Sequence, residues 1–273
     1  MPKRLSHAEI DRYRSDGVLF AQTILPPAEA ARWRRRLEEA EARHGRIHYL
    51  YKPHLVLMLA DEIVHNSALL DMVEDIIGPN ILLWDAAFVI KEAHVEGFFS
   101  WHQDLTYWGL EPPDVVSAWV ALSPATPESG CMRMIPGSHK GGILPHRDTF
   151  GQNNMLTRGQ EITVEIDQSR AVEVVLAPGQ ASLHHGRVIH ASNSNRSNDR
   201  RIGLTIQYIP THVRQVVGKK DSAMLVRGID DYRHFDPEPR PTVDFDPVTA
   251  ALQSKMTTLR NEVLYRGAEP PPS

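Results

Sequence analysis

"RRIGLTIQYIP", residues 200–210, is the stretch on which the fold turns. In an extended chain, successive side chains point to opposite faces. Arg200, Ile202, Leu204, Ile206 and Tyr208 therefore share one face, and Arg201, Gly203, Thr205 and Gln207 share the other. The first face is bulky and apolar from Ile202 onward, suited to packing on a helical layer. The second is small and polar, as the inside of a ligand-holding barrel would be, and it turns Arg201 inward.

The neighbouring sequence has the same texture. "ILLWDAAFVIKEA" (81–93), "VVSAWVAL" (115–122), "EITVEI" (161–166) and "AVEVVLAPGQASLHHG" (171–186) are short apolar runs separated by Gly, Pro, Asn and Asp. Runs of this length and spacing predict a mainly β sandwich or barrel with helices packed outside. Before them, Ser6-x-x-Glu9 is a capping-box signature for a short helix ending at Gly17, and "VLFAQTIL" (18–25) alternates weakly as a strand. Pro26-Pro27 open a longer helix with Ala30, Trp33, Leu37 and Ala40 at helical spacing, and more helix is expected around residues 66–79. After Gly228 a Pro- and Asp-rich stretch is expected to wrap the surface. A last helix from Asp246-Pro247 to Gly267 would bury a stripe of Val248, Leu252, Met256, Leu259 and Val263, and the "EPPPS" end would fray. We expect one domain over residues 1–273: helices in 1–80, a β core over about 81–215, and a tail plus helix in 216–273.

Composition narrows the functional classes. Thirty basic and thirty-four acidic side chains leave a net charge of −4, so no global positive field draws nucleic acid or an anionic membrane. Arg34-Arg35-Arg36 reads as a solvated helix face, with Glu38 and Glu39 four residues beyond the first two. The single cysteine, Cys131, excludes an internal disulfide framework and a Cys-rich zinc site. No signal-peptide pattern and no apolar run long enough to span a bilayer is evident. The expectation is a cytoplasmic protein acting on a small molecule, with no membrane, nucleic-acid or obligate protein partner.

"SWHQDLTYWGL" (100–110) sets His102 and Asp104 two positions apart among aromatic residues. About one His-x-Asp is expected by chance in such a chain. Three occur, the others being His146-x-Asp148 and His234-x-Asp236, so the spacing alone proves nothing. His234 sits in the Pro-rich tail and His146 in the long loop 137–160, as a surface or lid residue. Only His102 has apolar flanks on both sides, consistent with a strand end at a pocket. A metal site needs a third ligand from another strand; among His184, His185 and His190 we choose His190. Two histidines and a carboxylate on one face suit non-haem Fe(II) with open positions. Arg201 reads either as an edge-strand arginine or as a fork for a carboxylate, and His190, eleven residues earlier, favours the fork.

Four ordered blocks, "LSHAEIDRYRSDGVLF" (5–20), "FVIKEA…SWHQD" (88–104), "VVSAWVALSPATPESGCMRMIPGSHKGG" (115–142) and "HHGRVIHASNSNRSNDRRIGLTIQYIP" (184–210), together resemble the phytanoyl-CoA dioxygenase family of Fe(II)/2-oxoglutarate oxygenases. The resemblance implies a double-stranded β-helix, a cupin-like jelly roll. It implies Fe(II) on His102, Asp104 and His190, with 2-oxoglutarate and O₂ as co-substrates and succinate and CO₂ as products. It further implies that Arg201 and Ser192 bind the distal carboxylate of 2-oxoglutarate, that Trp119 lines its pocket, and that Lys52 is a co-substrate lysine. Lys91 would meet the substrate. Asp104 stands where halogenating relatives carry a small residue, which favours hydroxylation of an unactivated C–H. Gln103, Tyr107, Trp108 and the loop with Asn153 and Asn154 are expected to border the substrate. His139, His184 and His185 are read as non-ligands. The competing readings are a zinc or manganese cupin hydrolase or isomerase, for which Arg201 and Ser192 have no use, and a non-catalytic metal-binding protein.

Overall fold

A computed structural model describes residues 2–266; the expected stop at Gly267 and the frayed end lie outside the described residues. The helices are α1 (His7–Asp16), α2 (Pro27–His44), α3 (Met58–Val64), α4 (Ser67–Ile77) and α5 (Pro247–Leu264). The Ser6 hydroxyl accepts from the Glu9 N–H, and the Glu9 carboxylate accepts from the Ser6 N–H, so α1 starts with the expected capping box.

Seven strands form the larger sheet in the order Val18–Thr23, Gln180–His185, Val116–Ala121, Arg201–Pro210, Ile81–Lys91, Ser222–Arg227, Asp236–Pro237. A four-stranded sheet, Phe99–His102, His190–Ser192, Met132–Met134, Val172–Val174, completes the jelly roll. The alternation at 200–210 holds. Ile202, Leu204, Ile206 and Tyr208 join the main core beneath the helices, and the Tyr208 hydroxyl donates to the Val64 carbonyl at 2.7 Å. Arg200, on the same face, emerges at the edge to reach Glu41 of α2 and Glu92.

Two expectations need correction. The β core does not stop at 81 and 215: the strand expected after the first helix, Val18–Thr23, pairs into the larger sheet, and so does Ser222–Arg227. The buried face of α5 is Thr249, Gln253, Met256 and Leu264, while Val248 is 74% exposed. Met256 of the expected stripe is buried and Leu252 packs partly against the core, but the helix is turned so that Gln253 Nε2 donates to the Tyr51 carbonyl at 2.7 Å and Arg260 and Leu264 face the cavity described next.

Candidate metal centre and cavity

The smaller sheet brings His102 and His190 side by side. They are directly paired residues on antiparallel strands, with ring centroids 4.1 Å apart. Asp104 opens the short turn after the first strand, so its carboxylate swings back to within 3.4 Å of His102 Nε2 and 3.7 Å of His190 Nε2. Ligand atoms of the three lie within 4.8 Å of one another, the one such cluster among the described residues.

Each imidazole is oriented from behind. Nδ1–H of His102 donates to the Ser100 carbonyl at 2.8 Å, and Nδ1–H of His190 to the Val188 carbonyl at 3.0 Å. Both Nε2 lone pairs therefore face the carboxylate. Burial, then the neighbouring His102, lowers His190 to about 3, so its ring is neutral. Two lone pairs converging on an anion repel unless a cation stands between them, so the donor set fits a divalent metal.

The centre opens into a cavity of about 170 Å³ between the two sheets. Arg201 lies at one end, 1% exposed, with its guanidinium 5.1 Å from the Trp119 ring. Nη1 donates to the Gly130 carbonyl at 3.0 Å, and Nε has no partner among the described residues. Burial lowers it to about 10. A buried guanidinium with unmet donors and no counter-ion calls for a carboxylate. Gly203 permits this arrangement, since a Cβ there would stand 2.0 Å from the Trp119 ring. Ser192 also lines the cavity; its hydroxyl oxygen accepts from Lys91 at 2.7 Å, leaving the O–H proton free to donate inward.

Of the other expected site residues, Gln103, Tyr107 and Trp108 line the cavity. The Gln103 amide, however, is committed to the Arg187 and Gly142 carbonyls and the Leu144 N–H, which ties the long loop to the His-x-Asp turn. Lys52, Lys91 and Asn154 are not in the wall, and their expected roles are corrected. Lys52 is fully buried behind it, donating at 2.6 Å to Glu238 and to the Ser222 carbonyl. Lys91 is spent on Ser192 and the Asn193 carbonyl, and burial with Arg201 nearby lowers it to about 6. Asn154 donates to Ser100 Oγ at 2.9 Å, behind the Leu156 and Thr157 side chains that do reach the cavity.

Sequence reasoning missed three participants and read a fourth, His184, as a pocket or core histidine. His146, read as a lid residue, accepts from the Gln103 N–H at 3.2 Å and so braces the ligand turn. His184 lines the cavity 3.8 Å from the second Asp104 oxygen. Asp85 and Arg260 reach the cavity from the Ile81–Lys91 strand and from α5. The first two lay in sight as histidines near the motif, and Asp85 shares the parity of Lys91 on its strand; Arg260 carried no local signal.

A jelly roll with two histidines and a carboxylate clustered inside it is an arrangement that suits a non-haem metal centre with open positions. The phytanoyl-CoA dioxygenase (PhyH) family matches residues 5–203, and the chain belongs to that family. The solved structure of the non-heme monooxygenase ThoJ in its apo form is similar over 94% of this chain and 97% of its own, with 36% identity and a TM-score of 0.83. L-proline trans-4-hydroxylase of Streptomyces griseoviridis is 25% identical over 72% of this chain and 84% of its own length. A probable alpha-ketoglutarate-dependent hypophosphite dioxygenase of Stutzerimonas stutzeri is 28% identical over 61% of this chain, a match spanning 58% of that relative. No described helix is long and apolar enough to cross a membrane.

Proposed function

We propose that the chain is an Fe(II)- and 2-oxoglutarate-dependent dioxygenase that hydroxylates an unactivated C–H of a small molecule, His102, Asp104 and His190 holding the metal. The observation that carries this reading is Arg201, a buried guanidinium with an unpartnered Nε at the end of the cavity that holds the His-Asp-His cluster. When bound, iron and 2-oxoglutarate supply the oxidising power, O₂ being reduced as the keto acid is converted to succinate and CO₂.

The chain's own residues hold and orient. Arg201 and the Ser192 hydroxyl grip the far carboxylate of 2-oxoglutarate, and Trp119 supports the guanidinium from below. Lys91 fixes the Ser192 hydroxyl. Leu156, Leu264 and Trp108 keep the cavity dry. Asp104 fills the position a halide would need, which favours hydroxyl transfer over halogenation. A cupin hydrolase would have no role for a dicarboxylate clamp.

Anaerobic addition of Fe(II) and 2-oxoglutarate to the metal-free protein is expected to give a weak visible charge-transfer band, absent in Arg201→Met at the same concentrations. A band that needs no 2-oxoglutarate, or none in either protein, would count against the proposal.

A further inference from the structure

The cavity has a second charged end. Arg201 pairs in register with Lys91, whereas Asp85 pairs with Gln207, six residues further along both strands. At 3.3 Å per residue this separates the two ends by about 20 Å along the sheet. Asp85 shares the strand face of Ala87 and Val89, which also line the cavity, and lies opposite Gln207 of the same cavity-facing set. Just beyond it the register shifts, Tyr208 being opposite Leu83, which leaves Trp84 as the extra residue. Leu83 and Ala86 pack in the helix-side core, so both residues between them turn the other way. Trp84 goes to the cluster around Trp108, and Asp85 faces the cavity.

Asp85 is 8% exposed and its Oδ1 has no hydrogen-bond partner. Arg260, delivered by α5 to the same wall, rests on the Tyr51 ring at 4.7 Å and makes no ion pair among the described residues, with Asp85 or any other acid. Asp221, which lines an adjoining pocket with Asp85 and Arg260, is taken by Trp84 Nε1 at 2.9 Å and the Ser222 N–H at 2.7 Å. Opposite charges sharing a desolvated cavity normally close on each other. Here they are held apart on separate rigid elements, which suits an occupant carrying both complementary charges. Room is limited: about 170 Å³ holds on the order of a dozen water positions, and 2-oxoglutarate takes a large share of them.

We propose that this end is a zwitterion site, in which Asp85 accepts from the ammonium of a small amino acid and Arg260 grips its carboxylate. Burial raises the Asp85 carboxyl to about 7, and an incoming ammonium would restore its ionised form. The inference rests on the dioxygenase reading only in naming the occupant the substrate; binding itself needs neither iron nor 2-oxoglutarate.

The test uses the full chain, metal-free, with the twenty free L-amino acids and the Nα-acetyl and carboxamide form of each as probes, read by thermal shift and then calorimetry. At least one free amino acid is expected to bind, at least tenfold tighter than either derivative. Asp85→Asn should abolish the preference for the free amine while keeping the preference for the free acid, and Arg260→Gln should do the reverse. These are ratios within one protein, so a change in fold stability does not imitate them. The proposal is overturned if no free amino acid binds, if the blocked forms bind as well, or if either preference survives its variant. Failure of the dioxygenase reading would show separately, as no charge-transfer band in a protein that still binds the amino acid.

Discussion

Glu238→Gln is expected to cost about 3–5 kcal/mol of stability, the range for breaking a buried ion pair from one side. Glu238 and Lys52 are both fully buried in their side chains and meet at 2.6 Å. The same carboxylate accepts from Ser222 Oγ at 2.6 Å and lies 2.9 Å from His54 Nε2. Burial would raise its pKa, but the Lys52 charge and the His54 contact hold it at about 2 instead of 4.5. At about 1.36 kcal/mol per pH unit, that depression corresponds to roughly 3 kcal/mol, in line with the first figure. The amide keeps the shape but leaves the ammonium with the Ser222 carbonyl and, as its one ion-pair partner among the described residues, Asp221, 3.7 Å away. Because the folded-state pKa is depressed, the stabilisation is fully present above about pH 4.5 and is lost as pH falls through about 2. Urea unfolding should therefore show a constant gap between wild type and variant from pH 6 to 8, narrowing below 4.5. Lys52→Met with Glu238→Leu should recover most of the loss, and its KM for 2-oxoglutarate should match wild type. The reasoning is refuted by a gap under about 1 kcal/mol, set against the range for such pairs, by a gap that widens in acid, or by a KM that rises with the lysine's removal, which would return Lys52 to the co-substrate.

Gly203→Ala should displace the Trp119 ring, costing about 1–3 kcal/mol by overpacking and weakening 2-oxoglutarate binding at least tenfold by calorimetry; unchanged affinity would detach Trp119 from the clamp. Mn(II) at a hundred times its Kd should stabilise the wild type by about 2.7 kcal/mol, and His190→Ala should lose this response; a similar melting shift in both would place the ion elsewhere. Asp85→Asn should gain stability relative to wild type as pH rises from about 4 to 7, since a carboxyl raised to about 7 costs more as it ionises; melts at pH 5 and 8 with equal differences would contradict its burial.

The sequence determined the alternation at 200–210, the capped first helix and the His102-x-Asp104 pair, because each is a local pattern: strand parity, a turn-length hydrogen bond, and two donors on one short segment. It also pointed to Arg201, through the parity of its own strand. Only the tertiary structure decided which lysines face the cavity, since Lys52 and Lys91 differ from a ligand-binding lysine only in the partners that distant segments bring to them. The same holds for Arg260, set by the rotation of a helix whose expected stripe shares only Met256 with the face that is buried. Periodicity records what one segment prefers; the direction a charge faces inside a fold is settled by what packs against it.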